Sequence, residues 1–220
     1  MAYRVNLGCG ASPTPGWVNL DNSWTVRLAS RRLLWAAGSR LGLFNVQQEK
    51  FAAVCREKGI RWADVTKGIP LAEKSSDIVY SSHMLEHLPR QLALQLLKDV
   101  SRVLVPGGWV RLVLPDLARL VERYARERDA DLFVRSTLLG RERSNGTSML
   151  ARVKGGLVGD REHSWMYDAR SLCSLLIEAG FPDPQVLRAG ETRIPDPGPL
   201  DLREREDESL YVEAMRSGAA

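Results

Sequence analysis

The chain contains only three histidines, and two of them, His83 and His87, stand four residues apart with Glu86 between. On an α-helix this spacing puts both imidazoles on one face, the simplest arrangement in which two ring nitrogens reach one metal ion. The Glu that follows the first His in zinc-peptidase helices is missing here, so no metal ligand set is assigned from the spacing. The third, His163, lies in the polar run Gly159-Asp160-Arg161-Glu162-His163-Ser164-Trp165-Met166-Tyr167-Asp168, just ahead of an expected helix.

Gly8-Cys9-Gly10 directly follows an expected strand, Tyr3–Leu7. Glycines at such a point let the backbone turn sharply and lie close to a ligand, as in a nucleotide cradle. A dinucleotide fingerprint needs a third glycine at the position of Pro13, so nicotinamide and flavin chemistry is disfavoured. Asp21 ends a second strand, Trp17–Leu20, where an acid can accept hydrogen bonds from ribose hydroxyls or simply form a turn. Asp64-Val65 ends a third, Ile60–Ala63. There the carboxylate can accept from an adenine amine and the next N–H can reach a ring nitrogen, although a plain loop acid fits as well.

These residues need a scaffold. A chain of 220 residues with 44% hydrophobic and 26% charged side chains is expected to fold as one globular domain. Helical patterning covers 25–44, 47–58 and 90–104, the last with Leu92, Leu96, Val100, Val103 and Leu104 on one face. Pro106-Gly107-Gly108 stops that helix, and Trp109–Leu114 reads as a strand buried on both faces. Further helices are expected over 116–128, in pieces over 129–160, and over 168–179 between the N-cap Asp168 and Gly180. Late strands fall near 185–188 and 210–214. Such alternation predicts an α/β domain with a mainly parallel sheet.

Composition narrows the partners. Three cysteines without a CxxC pair, no apolar leader and no long apolar run point to a reduced cytoplasmic protein without a membrane span. The net charge is +4 and the pI about 9.1. Arg27, Arg31, Arg32 and Arg40 supply part of the excess, interleaved with Trp24 and Trp35, which could stack on a base or a sugar face. Acids around 204–208 break any continuous track for a polyanion, so no nucleic-acid partner is expected. Apolar side chains in the 25–44 segment suggest a homodimer.

Gly8-Cys9-Gly10, Asp21, Asp64, the run Ser81-Ser82-His83-Met84-Leu85-Glu86-His87-Leu88, Pro106-Gly107-Gly108, Trp165-Met166-Tyr167-Asp168 and Ala179-Gly180-Phe181 together resemble a known family. The chain is similar to class I S-adenosylmethionine-dependent methyltransferases, in particular a type 11-like group associated with glycan and polysaccharide synthesis. The resemblance runs from Val5 to about Met215. It implies a Rossmann-like seven-stranded sheet in the order 3-2-1-4-5-7-6, strand 7 antiparallel, with helices on both faces. By the same resemblance Gly8, Cys9 and Gly10 carry the methionine part of S-adenosylmethionine, Asp21 the ribose, and Asp64 with Val65 the adenine. Ser81, Ser82 and His83 line the sulfonium side. Asn6 departs from the acid many members place there. Inserts at about 22–59 and 129–163 are expected to wall the acceptor pocket, with no cap domain ahead of the first strand.

The expected reaction is methyl transfer to a hydroxyl of a sugar, glycoside or oligosaccharide, by in-line displacement. An alcohol needs a base, and His163 is the first choice, with His83 and Asp116 also placed at the reacting centre. Glu86, Trp165 and Tyr167 are expected to face the acceptor. A divalent ion such as Mg, which Asp116 could help to hold, is left open. Amino-methylating enzymes carry an (Asn/Asp/Ser)-Pro-Pro-(Tyr/Phe) run where Ser81-Ser82-His83-Met84 stands, and no Cys follows strand 4 or 5 to attack cytosine. A small natural product as acceptor, or a non-catalytic binding subunit, are the remaining alternatives.

Overall fold

The computed structural model describes residues 2–138 and 162–218. Strands β1 (Tyr3–Leu7), β2 (Val18–Asp21), β3 (Arg61–Trp62), β4 (Ser76–Ser82), β5 (Leu104–Pro115), β6 (Gln185–Leu187) and β7 (Ser209–Met215) form one seven-stranded sheet. Their order is β3-β2-β1-β4-β5-β7-β6. β7 runs antiparallel to both neighbours and the first five strands are mutually parallel. This is the order the resemblance implies. Because β1 to β5 are parallel, Leu7, Asp21, Trp62, Ser82 and Pro115 all end at one edge of the sheet, where open α/β sheets bind ligands.

The segment expected as one helix over 25–44 is two, α1 (Trp24–Ala29) and α2 (Arg32–Arg40), parted at Ser30-Arg31. The break lets Val26 and Ala29 of α1 and Trp35 of α2 reach one small core with Ala52 and Cys55 of α3 (Val46–Lys58). Trp35 is buried and stacked on Phe44 at 3.9 Å, so it offers no face to a base or sugar. α3 opens with a capping box between Asn45 and Gln48 and closes at Gly59, φ +65, the end geometry glycine favours.

α4 (Arg90–Val103) buries Ala93, Leu96, Leu97, Val100 and Val103 against the sheet. The stripe is turned slightly from the expected one: Leu92 is exposed, while Ala93 and Leu97 face the core. Full burial of a leucine contributes about 1.5–3 kcal/mol, so such a stripe anchors the helix. Pro106-Gly107-Gly108 is also corrected. The helix has already ended at Val103, and the three residues form an irregular stretch inside β5, with Gly107 N–H donating to Arg216 O and Arg216 N–H to Gly108 O. α5 (Leu117–Glu127), α6 (Ala130–Thr137) and α7 (Ala169–Glu178) follow. α6 belongs to the second expected insert, of which 139–161 lie outside the described residues. Among the described residues no helix is long and apolar enough to cross a membrane.

Candidate active site

The backbone turns at the end of β1 through two left-handed glycines, Gly8 (φ +66) and Gly10 (φ +50). Gly8 and Cys9 N–H both donate to Leu20 O, which ties the loop to β2. Asp21 completes the joint: Oδ2 accepts from Gly10 N–H at 3.1 Å and Oδ1 from Ser23 N–H at 2.8 Å. Each oxygen keeps a second lone pair, so the carboxylate can still take two hydroxyls. The Cys9 side chain turns into the small core beside Cys55, and burial, with Asp21 nearby, pushes its thiol well above the ordinary range. Cys9 thus contributes backbone to the loop, and no nucleophile.

Asp64 caps a short 3-10 turn (Val65–Lys67). Its Oδ1 accepts from the Thr66 hydroxyl at 2.6 Å and Oδ2 pairs with Lys67 at 2.9 Å, and these contacts lower its pKa. Ala63 N–H donates to Asp21 O, which links the two acids through backbone. Asn6 is buried and donates to Thr14 Oγ1 at 3.0 Å, bracing the loop that returns to β2. Ser81 serves the sheet, its hydroxyl donating to Leu7 O at 3.2 Å, while the buried Ser82 hydroxyl has no hydrogen-bond partner.

Beyond β4 the chain does not form the α-helix that would align His83 with His87. His83 adopts φ +46, and only a 3-10 turn (Leu85–His87) follows. His83 is held from across the sheet: Nδ1 accepts from Arg205 Nη1 at 3.2 Å, which leaves the proton on Nε2, 3.0 Å from Ser209 Oγ. Arg205 and Ser209 are site residues that sequence reasoning missed. Only the antiparallel return of β7 brings them to the end of β4, and no local pattern announces that.

The partner of His87 is His163. Their rings meet edge-on with centroids 5.0 Å apart. Glu86 N–H and C=O belong to the turn, and its carbonyl accepts from both Ser164 and Trp165 N–H, holding His163 beside it. His163 Nε2 lies 3.9 Å from Glu86 Oε1, beyond hydrogen-bond range. Glu86 is 1% exposed, and neither carboxylate oxygen has a hydrogen-bond partner. Burial lowers the pKa of His163, with Glu86 opposing the shift. Tyr167, whose buried hydroxyl also lacks a partner, is pushed up to about 12 by burial.

Other expected residues are placed as follows. Asp116 is the N-cap of α5, its Oδ1 accepting from Ala118 N–H, and its backbone bridges to Tyr167. That bridge fixes the 162–168 segment against the carboxyl end of β5. Trp165 stands half exposed next to the buried Glu86–His163 pair. Arg27 lies between the Trp24 and Trp62 rings, 5.2 and 4.9 Å from their centroids.

The residues present fit S-adenosylmethionine: a glycine turn with open space at Gly10, a carboxylate that keeps free lone pairs at the end of β2, and an unpartnered Ser82 hydroxyl, all at one sheet edge. Residues 39–112, from α2 to β5, match a family described as a methyltransferase domain. No curated protein matches the chain. Among solved structures, the chain is similar to an S-adenosylmethionine-dependent methyltransferase of Thermotoga maritima, with 13% identity, a TM-score of 0.54, and coverage of 99% of this chain and 83% of that one. It is also similar to an S-adenosylmethionine-dependent methyltransferase of Mesorhizobium loti, with 22% identity, a TM-score of 0.50, and coverage of 97% and 90%. At these identities the likeness establishes the fold. The domain match and the fold together support an S-adenosylmethionine-dependent methyltransferase.

Proposed function

We propose that the protein methylates a hydroxyl of a sugar, glycoside or oligosaccharide. The observation that carries this reading is the meeting, at one sheet edge, of the Gly10–Asp21 joint with the buried Glu86–His163 pair and the exposed ring of Trp165. S-adenosylmethionine supplies an electrophilic methyl group on a sulfonium. Gly8 and Gly10 let the backbone approach it, Asp21 takes the ribose hydroxyls, and Asp64 with the Val65 N–H takes the adenine. Trp165 offers a flat apolar face to a pyranose ring. Much of the rate then comes from holding the two reactants in line. A hydroxyl must still lose its proton, because its pKa lies far above neutrality. Glu86, His87 and His163 are the group disposed for that task.

The test pairs calorimetric titration with S-adenosylmethionine against incubation of the protein with labelled cofactor and a panel of mono- and oligosaccharides. Label transferred to an oxygen of a sugar supports the reading. Absence of cofactor binding defeats it, and transfer only to amines or to non-sugar hydroxyls removes the acceptor class.

A further inference from the structure

Glu86 places a carboxyl group where it is 1% exposed, and neither oxygen has a hydrogen-bond partner. An isolated carboxylate in such a place is expensive unless it is paired or coordinates a cation. Three imidazoles surround it: His83 Nδ1 lies 3.5 Å and His163 Nε2 3.9 Å from Oε1, and His87 completes the group. His87 Nδ1 lies 2.9 Å from Glu162 O; a carbonyl only accepts, so Nδ1 donates and the lone pair remains on Nε2. His163 lies with Nδ1 3.1 Å from Met166 Sδ and with Nε2 turned toward Glu86. Glu86, His87 and His163 each bring one ligand-type atom within 4.8 Å of the others.

The cluster brings a carboxylate oxygen and two imidazole nitrogens together, the donor types a metal ion takes. We propose that Glu86, His87 and His163 bind a divalent transition-metal ion, with zinc as the best fit. The donor set argues for that class: imidazole nitrogen suits zinc and its neighbours, whereas magnesium takes oxygen ligands in a strict octahedron. Magnesium, left open by the sequence, does not match these donors. The geometry agrees. Two ligands on a tetrahedral zinc are about 3.4 Å apart, given Zn–N and Zn–O distances near 2.1 Å. The 3.9 Å between His163 Nε2 and Glu86 Oε1 needs only a slight closure, and the three ligand atoms, all within 4.8 Å of one another, would draw together around the ion. The outward hydrogen bond from His87 Nδ1–H to a carbonyl is the contact that orients a metal-bound histidine.

The site has two consequences. An ion there joins the turn after β4 to the segment carrying His163 and Trp165, so it fastens one wall of the acceptor side. Three protein ligands also leave a tetrahedral ion one open position, where a hydroxyl would release its proton to solvent more readily. This second consequence rests on the proposed methyl transfer; the ion site itself does not.

The test uses the full chain, stripped with a chelator and confirmed folded by circular dichroism. It is titrated with zinc chloride by calorimetry, followed by thermal melting and by the visible absorption of cobalt(II). One zinc per chain, a raised melting temperature and cobalt ligand-field bands are expected. Glu86→Gln and His163→Gln should each weaken zinc binding at least about tenfold, since even outer partners of a metal site carry that much; two near-isosteric variants guard against one failing to fold. No stoichiometric uptake, or zinc binding unchanged in both variants, overturns the site. A shared proton as the sole occupant would show as such a failure. S-adenosylmethionine titration of the same stripped protein separates the two readings: cofactor binding without zinc uptake defeats only the metal site, and zinc uptake without cofactor binding defeats only the methyltransferase reading.

Discussion

Met84 occupies the space in which a side chain at Gly8 would begin: a Cβ there would lie 2.4 Å from Met84 Cγ and 2.9 Å from its Cβ. The residue after β1 and the second residue after β4 are thus fitted to each other across the cofactor edge. Two independent demands fall on Gly8, the left-handed backbone and the close approach of Met84.

Gly8→Ala should therefore destabilise the protein by about 1–3 kcal/mol from the backbone alone, with overpacking adding a similar amount. Adding Met84→Ala should recover only the part due to Cγ, since the 2.9 Å contact with Met84 Cβ and the φ of +66 remain. Urea unfolding of the two single variants and the double variant measures this. A Gly8→Ala protein as stable as the parent would show that the loop can move away at no cost.

Asp21→Asn keeps the shape and removes one acceptor. Its oxygens hold Gly10 and Ser23 N–H, and an amide would turn its NH2 toward one of those donors. Hydrogen bonds to a charged group are worth about 1.5–3 kcal/mol. The variant should bind S-adenosylmethionine at least about tenfold more weakly and melt at a lower temperature. Calorimetric titration checks the first, and an unchanged Kd would remove Asp21 from the ribose role.

What was readable in the chain follows from the range of each signal. β1 is found at Tyr3–Leu7 as expected, and Asp168 caps its helix as expected, because strand ends and caps are written in neighbouring residues. The break at Ser30-Arg31 was not readable, because it comes from packing Trp35 and Val26 into one core with Ala52, and neither Gly nor Pro marks it. The site shows the same division. Asp21 and the glycine turn could be named from their places after strands. That His87 meets His163, and that Arg205 and Ser209 hold His83, depends on residues roughly 75 to 125 apart in the chain. Even the apolar run of β5 hides a charge that its sequence neighbours cannot satisfy.

That charge is Arg111, fully buried and paired at 2.6 Å with the equally buried Glu213 of β7. Glu213 also accepts from the Thr192 hydroxyl and from Arg193 N–H, and Arg111 donates to the carbonyls of Glu191 and Leu202. Breaking a buried pair from one side leaves an uncompensated charge, at a cost of about 3–5 kcal/mol. Glu213→Gln should lose stability of that order in denaturant unfolding. Arg111→Met in the same chain should return part of the loss, since it removes the stranded cation. Additive losses in the double-mutant cycle would show that the two residues do not act as a pair.

Asp168 gives the fold a pH dependence with a definite sign. Ser171 N–H donates to its carboxylate at 2.7 Å, and Asp168 N–H donates back to Ser171 Oγ at 3.0 Å. These contacts hold the Asp168 pKa below its ordinary 3.8 in the folded protein. A carboxyl group whose folded pKa is depressed contributes stability above its unfolded pKa, and that contribution is lost as pH falls through the folded value. Asp168→Ala should cost about 1 kcal/mol near neutrality, the usual worth of such a cap. Asp168→Asn keeps an oxygen for Ser171 N–H but cannot titrate, so any advantage of the parent over it should shrink as pH falls below about 4. Urea unfolding of parent and Asn variant at pH 7 and pH 3 decides the matter. A stability difference that stays constant between the two pH values would mean that the charge on Asp168 plays no part in holding the start of α7.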